Sequence, residues 1–537
     1  TDTDYTTLVG YEAGRYSTGS YNTFVGSEAG KGGTTSAPYS SGENNVALGY
    51  YALKNFTTGY SNVAIGSHAM DAITDSNNAI GIGAGALGGT TSTLGSVVLG
   101  TNAGNNATFG NYNIIMGYTN GQGALGTMNT FIGGAETGRA ATSDYAIGIG
   151  AYALQNTTAT GNVGIGHKAL QSNTSGAGNL AIGYEALKVH TTGGNNIAIG
   201  YQAMYDTNAG STSLGSEDNI FMGYSAGGGT WANAASNGNV GIGNYSMDAA
   251  LNGALYNTAV GTYAASAITS ADNVTAIGNS AAYSLTTGAN NIAIGFRAMV
   301  THTTGANNIA IGTNAMEDTD AGSTSLGSTN NIFMGYEAGG GTWADAASNE
   351  NVAIGNYAMD AALNGALRNV AIGHEALTGL TSGDYNQAIG YRALYAANTG
   401  GSNTAIGHEA GISITSGAMN VAIGYHAGYN NQTGVYNVHI GMQAGYGAAS
   451  NSANTNTFVG YKTGYDVTTG GNNVAIGGSA LENLTSGADN VAVGNQAGDA
   501  LTTTSNVVLV GRNAGGVINS TDANGTVAVG YAALAAL

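Results

Sequence analysis

The stretch NVAIGSHAM, residues 62–70, decides how this chain reads. Asparagine is followed by aliphatic, small and aliphatic residues, then glycine, and an alanine stands three places after the glycine. The phrase returns as NLAIGYEAL at 179–187 and NVAIGNYAM at 351–359. With each such glycine numbered zero, the series runs Gly10, Gly26, Gly49, Gly66 and onward to Gly530. There are 30 such glycines, and 17 of the 29 intervals equal the step from Gly49 to Gly66. A fixed period of this length is the signature of a solenoid, whose units cannot bury a core alone and stack to make one.

Within the phrase, alternation puts positions −3 and −1 on one side of a strand and position −2 on the other. Val63 and Ile65 are expected to point into the coil and Ala64 away from it. The glycine ends the strand where a turn needs positive φ. Alanine follows at +3 in 26 of 30 repeats, and turns such as Thr57-Thr58-Gly59 come after it. The unit reads strand, turn, strand, turn. The fold class is therefore all-β, a parallel β-solenoid of about 30 coils of roughly 17 residues. At about 4.8 Å per rung this is a rod of roughly 140 Å. The glycines run from end to end, so residues 1–537 read as one continuous solenoid.

Position −4 is asparagine in 23 of 30 repeats, among them Asn62, Asn196, Asn308 and Asn420. A column of amides can hydrogen-bond from rung to rung as a ladder; alternatively, asparagine tolerates a left-handed turn there. Position −2 is alanine in 16 repeats, glycine in 4 and phenylalanine in 5, with His439 its one polar member. If this row faces outward it is a long apolar stripe, which an isolated rod in water would not keep exposed. Ala64, Ala181, Ala198, Phe221, Ala310, Phe333, Ala371 and Ala422 are thus read as an oligomer-interface row, with three chains around an axis. The alternative is burial of the row inside a wider single-chain coil.

The phrase NVAIG at Asn351–Gly355, Asn420–Gly424 and Asn473–Gly477, with its alanine and glycine after it, resembles the head repeat of trimeric autotransporter adhesins. Similar runs occur in phage tail fibres and other trimeric surface fibres. The resemblance covers most of the chain and implies left-handed parallel β-rolls that trimerise through one sheet on a cell or virion surface. The family repeat is usually shorter, so a different cross-section is expected here. Neither a heptad stalk nor membrane-spanning C-terminal strands are recognisable before the closing VGYAALAAL.

Composition narrows the function. Eleven Lys and Arg against 30 Asp and Glu give a net charge of −19, the wrong sign for a nucleic-acid partner. Without cysteine there is neither a disulfide framework nor thiol chemistry. No apolar run approaches the ~18 residues that cross a bilayer, so no membrane insertion is expected. The chain starts at Thr1 rather than Met, as expected of a processed or excised form anchored by segments outside it.

Little in the sequence points to chemistry. His374 and His408 hold the same coil position two coils apart, followed by Glu375 and Glu409. Roughly 10 Å of rod separates them, too far for one ion, and they read as solvent-facing polar residues. No Ser-His-Asp set or carboxylate pair departs from the repeat, and no cofactor is implied. Acidic turns such as Ser216-Glu217-Asp218 are the places where Ca²⁺ could bind. Position +1 is tyrosine in 11 repeats, including Tyr50, Tyr184, Tyr201, Tyr391, Tyr425 and Tyr531. Such a stripe could stack on glycans, or could simply pack on itself.

Residues 195–255 and 307–367 are identical at 50 of 61 positions, a duplicated block with longer coils. It carries the chain's two tryptophans, Trp231 and Trp343, after glycine triplets. Loops added to solenoid coils often carry binding, so these two are candidate surface contacts for a glycan or protein; otherwise each plugs a widened coil. Another long coil holds Pro38. The sequence as a whole points to a non-enzymatic extracellular fibre or adhesin, self-associating as a homotrimer and touching a glycan or host-surface receptor. A phage tail fibre for host-receptor binding is one alternative. A polysaccharide-processing β-helix enzyme is another, and it would need a local acidic cluster.

Overall fold

A computed structural model describes residues 4–535 apart from 34–38, 106–107, 124, 140, 208–214, 233, 319–326, 345 and 449–450. Pro38 lies outside the described residues, as does much of the extra length of the duplicated long coils. The contacts gather the chain into two compact units, Thr1–Ser270 and Ala271–Leu537. Each is a parallel β-solenoid, and each carries fifteen short strands among its described residues.

Every strand is the −3 to −1 segment of one phrase, and within each unit successive strands pair in parallel, segment to segment. In the first unit Val63, Ala64 and Ile65 pair with Ile80, Gly81 and Ile82. In the second, Ile292, Ala293 and Ile294 pair with Ile309, Ala310 and Ile311. Register survives the long intervals, since Ala198 still pairs with Phe221 across one of the longest. The extra residues of such an interval therefore leave the strand register unchanged.

The glycine at position zero sets the approach of neighbouring coils. Gly66 has φ of 129°, and a Cβ on it would stand 2.6 Å from the carbonyl carbon and oxygen of Gly83. No side chain fits there. The asparagine column closes the other end of the strand. Asn62 Nδ2 donates to Asn45 Oδ1 at 3.0 Å and to the Ser76 carbonyl, while Asn62 Oδ1 accepts from the Ala79 amide at 3.0 Å. Asn196, Asn308 and Asn420 repeat the pattern on Asn179, Asn291 and Asn403 at 3.0–3.1 Å. All four are buried. The left-handed residue is the one before each of them, such as Asn195 at φ 58°.

The second half of the coil differs from the expected second strand. Positions +2 and +4 both hold positive φ, as at His68 (58°) and Met70 (55°), and the stretch is a run of turns. The amides of the two left-handed residues point in opposite directions along the stack, and the amide between them bonds within the turn. The His68 amide donates back to Tyr50 O and the Met70 amide forward to Ala86 O, both at 2.8 Å. Each left-handed non-glycine residue costs roughly 1 kcal/mol, and an inter-coil hydrogen bond contributes about the same in return.

Position −2 faces inward, which overturns the outward interface row. Ala64, Ala181, Ala198, Phe221, Ala310, Phe333 and Ala371 are fully buried and Ala422 is 3% exposed, all within their own coils. Val63 and Ile65, read as interior, lie on the outer face and are only half-buried. The reason is thickness. The strand packs straight onto the +3 and +4 turn, leaving room for one large side chain between positions −2 and +4. Where −2 is phenylalanine, a glycine occupies the facing site: Phe24 with Gly30, Phe131 with Gly138, Phe221 with Gly227, Phe333 with Gly339 and Phe458 with Gly464. A Cβ on Gly30 would lie 2.5 Å from the Phe24 ring. Where −2 is alanine or glycine, leucine or methionine usually fills the space, as at Ala64 with Met70 and Gly81 with Leu87.

This packing can be tested by exchange of its two halves. Phe458→Ala removes a buried ring, at a cost of roughly 3–5 kcal/mol, and Gly464→Leu alone drives a side chain into that ring. The double variant recreates the Ala475 and Leu481 pair of the next coil, so it should be at least about 2 kcal/mol more stable than either single change; hydrogen exchange across residues 457–482 measures it. His439 also sits in the −2 column, stacked on Phe458 at 5.4 Å, and burial holds its pKa down to about 4. The unfolded chain therefore takes the proton first, and stability is lost as pH falls from about 6.5 to about 4. His439→Phe should remove up to roughly 3 kcal/mol of that acid loss, seen in thermal melts at pH 7 and pH 4.5.

Candidate functional site

The outward side of the strands carries positions −3 and −1. Position −1 is Ile, Val, Leu or Met in all 30 repeats, and position −3 is Val, Ile, Leu or Thr except at Gln387. In the first unit Leu48 is 46% exposed and Ile82 38%; in the second, Ile354, Ile372, Ile389 and Ile476 are 38–43% exposed. Neither column contains a charged residue. Fifteen rungs, each with a pair of such side chains, make a flat apolar area on the order of 500 Å² in each unit. An ordinary monomer's largest apolar patch is about 300–600 Å².

Beside this face stands the +1 column of rings. Tyr184, Tyr201 and Tyr224 stack at 5.0 Å with interplanar angles of 4–8°. His374, Tyr391, His408 and Tyr425 form a second such run at 4.9–5.7 Å. In both runs a neighbouring rung covers the ring faces, and ring edges meet solvent. Glycans stack on free faces, so these two runs present edge and hydroxyl chemistry rather than a stacking platform.

Trp231 and Trp343 are not surface contacts. Each is 1% exposed. Their indole N–H groups donate to the Gly227 and Gly339 carbonyls at 2.9 and 3.0 Å, and their rings lie across Phe221 and Phe333 at 5.7 and 5.5 Å. A longer coil encloses more space, and the indole fills it with its single polar atom satisfied. Iodide should therefore quench the fluorescence of both tryptophans only weakly in the folded chain and strongly after denaturation. Quenching of the folded chain at the denatured rate would contradict the burial.

The acidic turn at Ser216-Glu217-Asp218 has a buried serine, and Asp218 Oδ1 accepts from Asn195 Nδ2 at 3.2 Å. Among the described residues, one group of three ligating side chains comes close enough to hold a metal ion: His408, Glu409 and His426. His374 and Glu375, two coils back, are not part of it, and Glu375 pairs with Arg392. Reading the histidines at +1 alone missed His426, which stands at +2, one coil after Glu409. The missed signal was vertical adjacency at position +2 between coils one regular period apart. A surface hollow of about 470 Å³ beside Ser67 and Asn102 holds a further pair, His68 Nδ1 and Asp71 Oδ2 at 2.8 Å.

No family model matches the chain, and no curated protein is recognisably similar to it.

Proposed function

We propose that this chain is a non-enzymatic structural fibre or adhesin of an extracellular surface, self-associating as a homotrimer through the outward face of its sheet. The observation that carries the reading is the uncharged aliphatic face itself. Water would penalise it by about 25 cal/mol per Å² of apolar area, and a second copy offers a face of matching shape, spacing and chemistry. Two or three such sheets packed together would each cover the face, and the choice of three rests on the family resemblance. The resemblance of NVAIG to trimeric adhesin heads, which trimerise through one sheet, points the same way.

The stacked coils suit a spacer. Each adds backbone hydrogen bonds and a glycine contact to the one before, and most add an asparagine bridge, so stiffness accumulates with length. Identical surface rows repeated along a fibre and between its copies would convert weak contacts into avidity. Among the described residues no helix is long and apolar enough to cross a membrane.

Light scattering after gel filtration should give three times the 53.0 kDa chain mass. The paired changes Ile372→Lys and Ile389→Lys place charge on the outer face without touching the interior, and should yield a lighter species with an unchanged far-ultraviolet spectrum. A wild-type monomer, or a trimer indifferent to both lysines, overturns the proposal.

A further inference from the structure

In the +2 column, carboxylates usually meet a basic side chain. Lys31 bridges Glu12 and Glu28 at 2.5 and 3.0 Å, Glu185 pairs with Lys188 at 2.9 Å, and Glu375 pairs with Arg392. Glu409 instead faces imidazoles: His426 Nε2 is 2.9 Å from its Oε2, and His408 Nδ1 is 4.0 Å away. His426 Nε2 is enclosed yet makes no hydrogen bond, so the short approach to Glu409 is out of line for one.

We propose that His408, Glu409 and His426 bind one divalent transition-metal ion of the zinc class. One ligand atom from each of the three lies within 4.8 Å of the others. Zinc takes nitrogen at about 2.0–2.1 Å and carboxylate oxygen at about 2.0–2.2 Å, which places tetrahedral ligands about 3.4 Å apart. Closing from the present spacing asks for movements within side-chain reach. Two imidazoles and one carboxylate favour zinc, nickel, cobalt or copper over calcium or magnesium, which take oxygen shells.

The surroundings hold the donors in place. Tyr391 and Tyr425 sandwich the His408 ring at 4.9 and 5.3 Å, and Tyr425 lies on His426 at 3.8 Å. Glu409 and His426 keep only 15–16% of their side chains exposed, while His408 is 46% exposed. The fourth coordination position therefore opens toward solvent, where a water or an external donor can complete the set. A bound ion would clip the coil of Gly407 to the coil of Gly424. This inference stands on the cluster alone and is independent of the oligomeric state.

Equilibrium dialysis of the untagged chain against zinc should give one saturable site per chain. His426→Gln, Glu409→Gln and His408→Gln should each weaken it at least about tenfold, since even an outer partner of a metal ligand is worth that much. His374→Gln, at the matching +1 position, should leave the affinity unchanged, and calcium in excess should not displace zinc. Cobalt should give the visible absorption of a tetrahedral site, lost in the same three variants. Circular dichroism checks each fold, and the exposed His408 supplies a variant that leaves the interior alone. Absent saturable zinc binding, or an affinity moved no more by these three changes than by His374→Gln, overturns the assignment.

Discussion

Contact between the position-zero glycine and its counterpart one coil on governs everything else. At Gly66 a Cβ would meet the backbone of Gly83 at 2.6 Å, so the coils approach as closely as backbone allows. That closeness permits very short strands to pair, residue for residue, with the next strand. It also permits the asparagine bridges, because Asn62 Nδ2 can reach both Asn45 Oδ1 and the Ser76 carbonyl. A side chain at position zero would separate the rungs and break both sets of bonds at once.

The same closeness makes each coil thin, and thinness sorts the side chains. One large group fits between strand and turn, supplied from position −2 by Phe24 or Phe458 and from position +4 by Met70 or Leu481. The β-branched residues at −3 and −1 have no room inside and lie outward. This geometry creates the apolar face on which the proposed self-association rests. It also strings the +1 and +2 side chains into vertical columns, so positions one period apart in sequence become neighbours. Ring stacks, ion-pair runs and the His408, Glu409 and His426 group all arise from that single consequence.

Position −2 shows how much of this was legible. Its smallness suggested close approach between chains, whereas it reflects close approach within a coil. The clue was present as covariation: a large residue at −2 goes with glycine six places later, or seven at Phe131, a small one usually with leucine or methionine. Trp231 fits the same logic, since Phe221, Gly227 and a lengthened coil together define a larger interior. His426 became legible only when successive coils were aligned at position +2, because nothing in its own phrase marks it.

The order of residues along the chain was enough to establish the solenoid, its period, the parallel pairing and the columns of glycine and asparagine. Those features recur from end to end, and repetition turns a weak local signal into a register. Which side of each strand is interior was settled only by packing. Alternation separates two faces but does not say which is covered, and the answer depends on what lies across the coil. Packing likewise made the second half of each coil a chain of turns, since left-handed tyrosines, glutamates and leucines are tolerated only where neighbouring coils hold them.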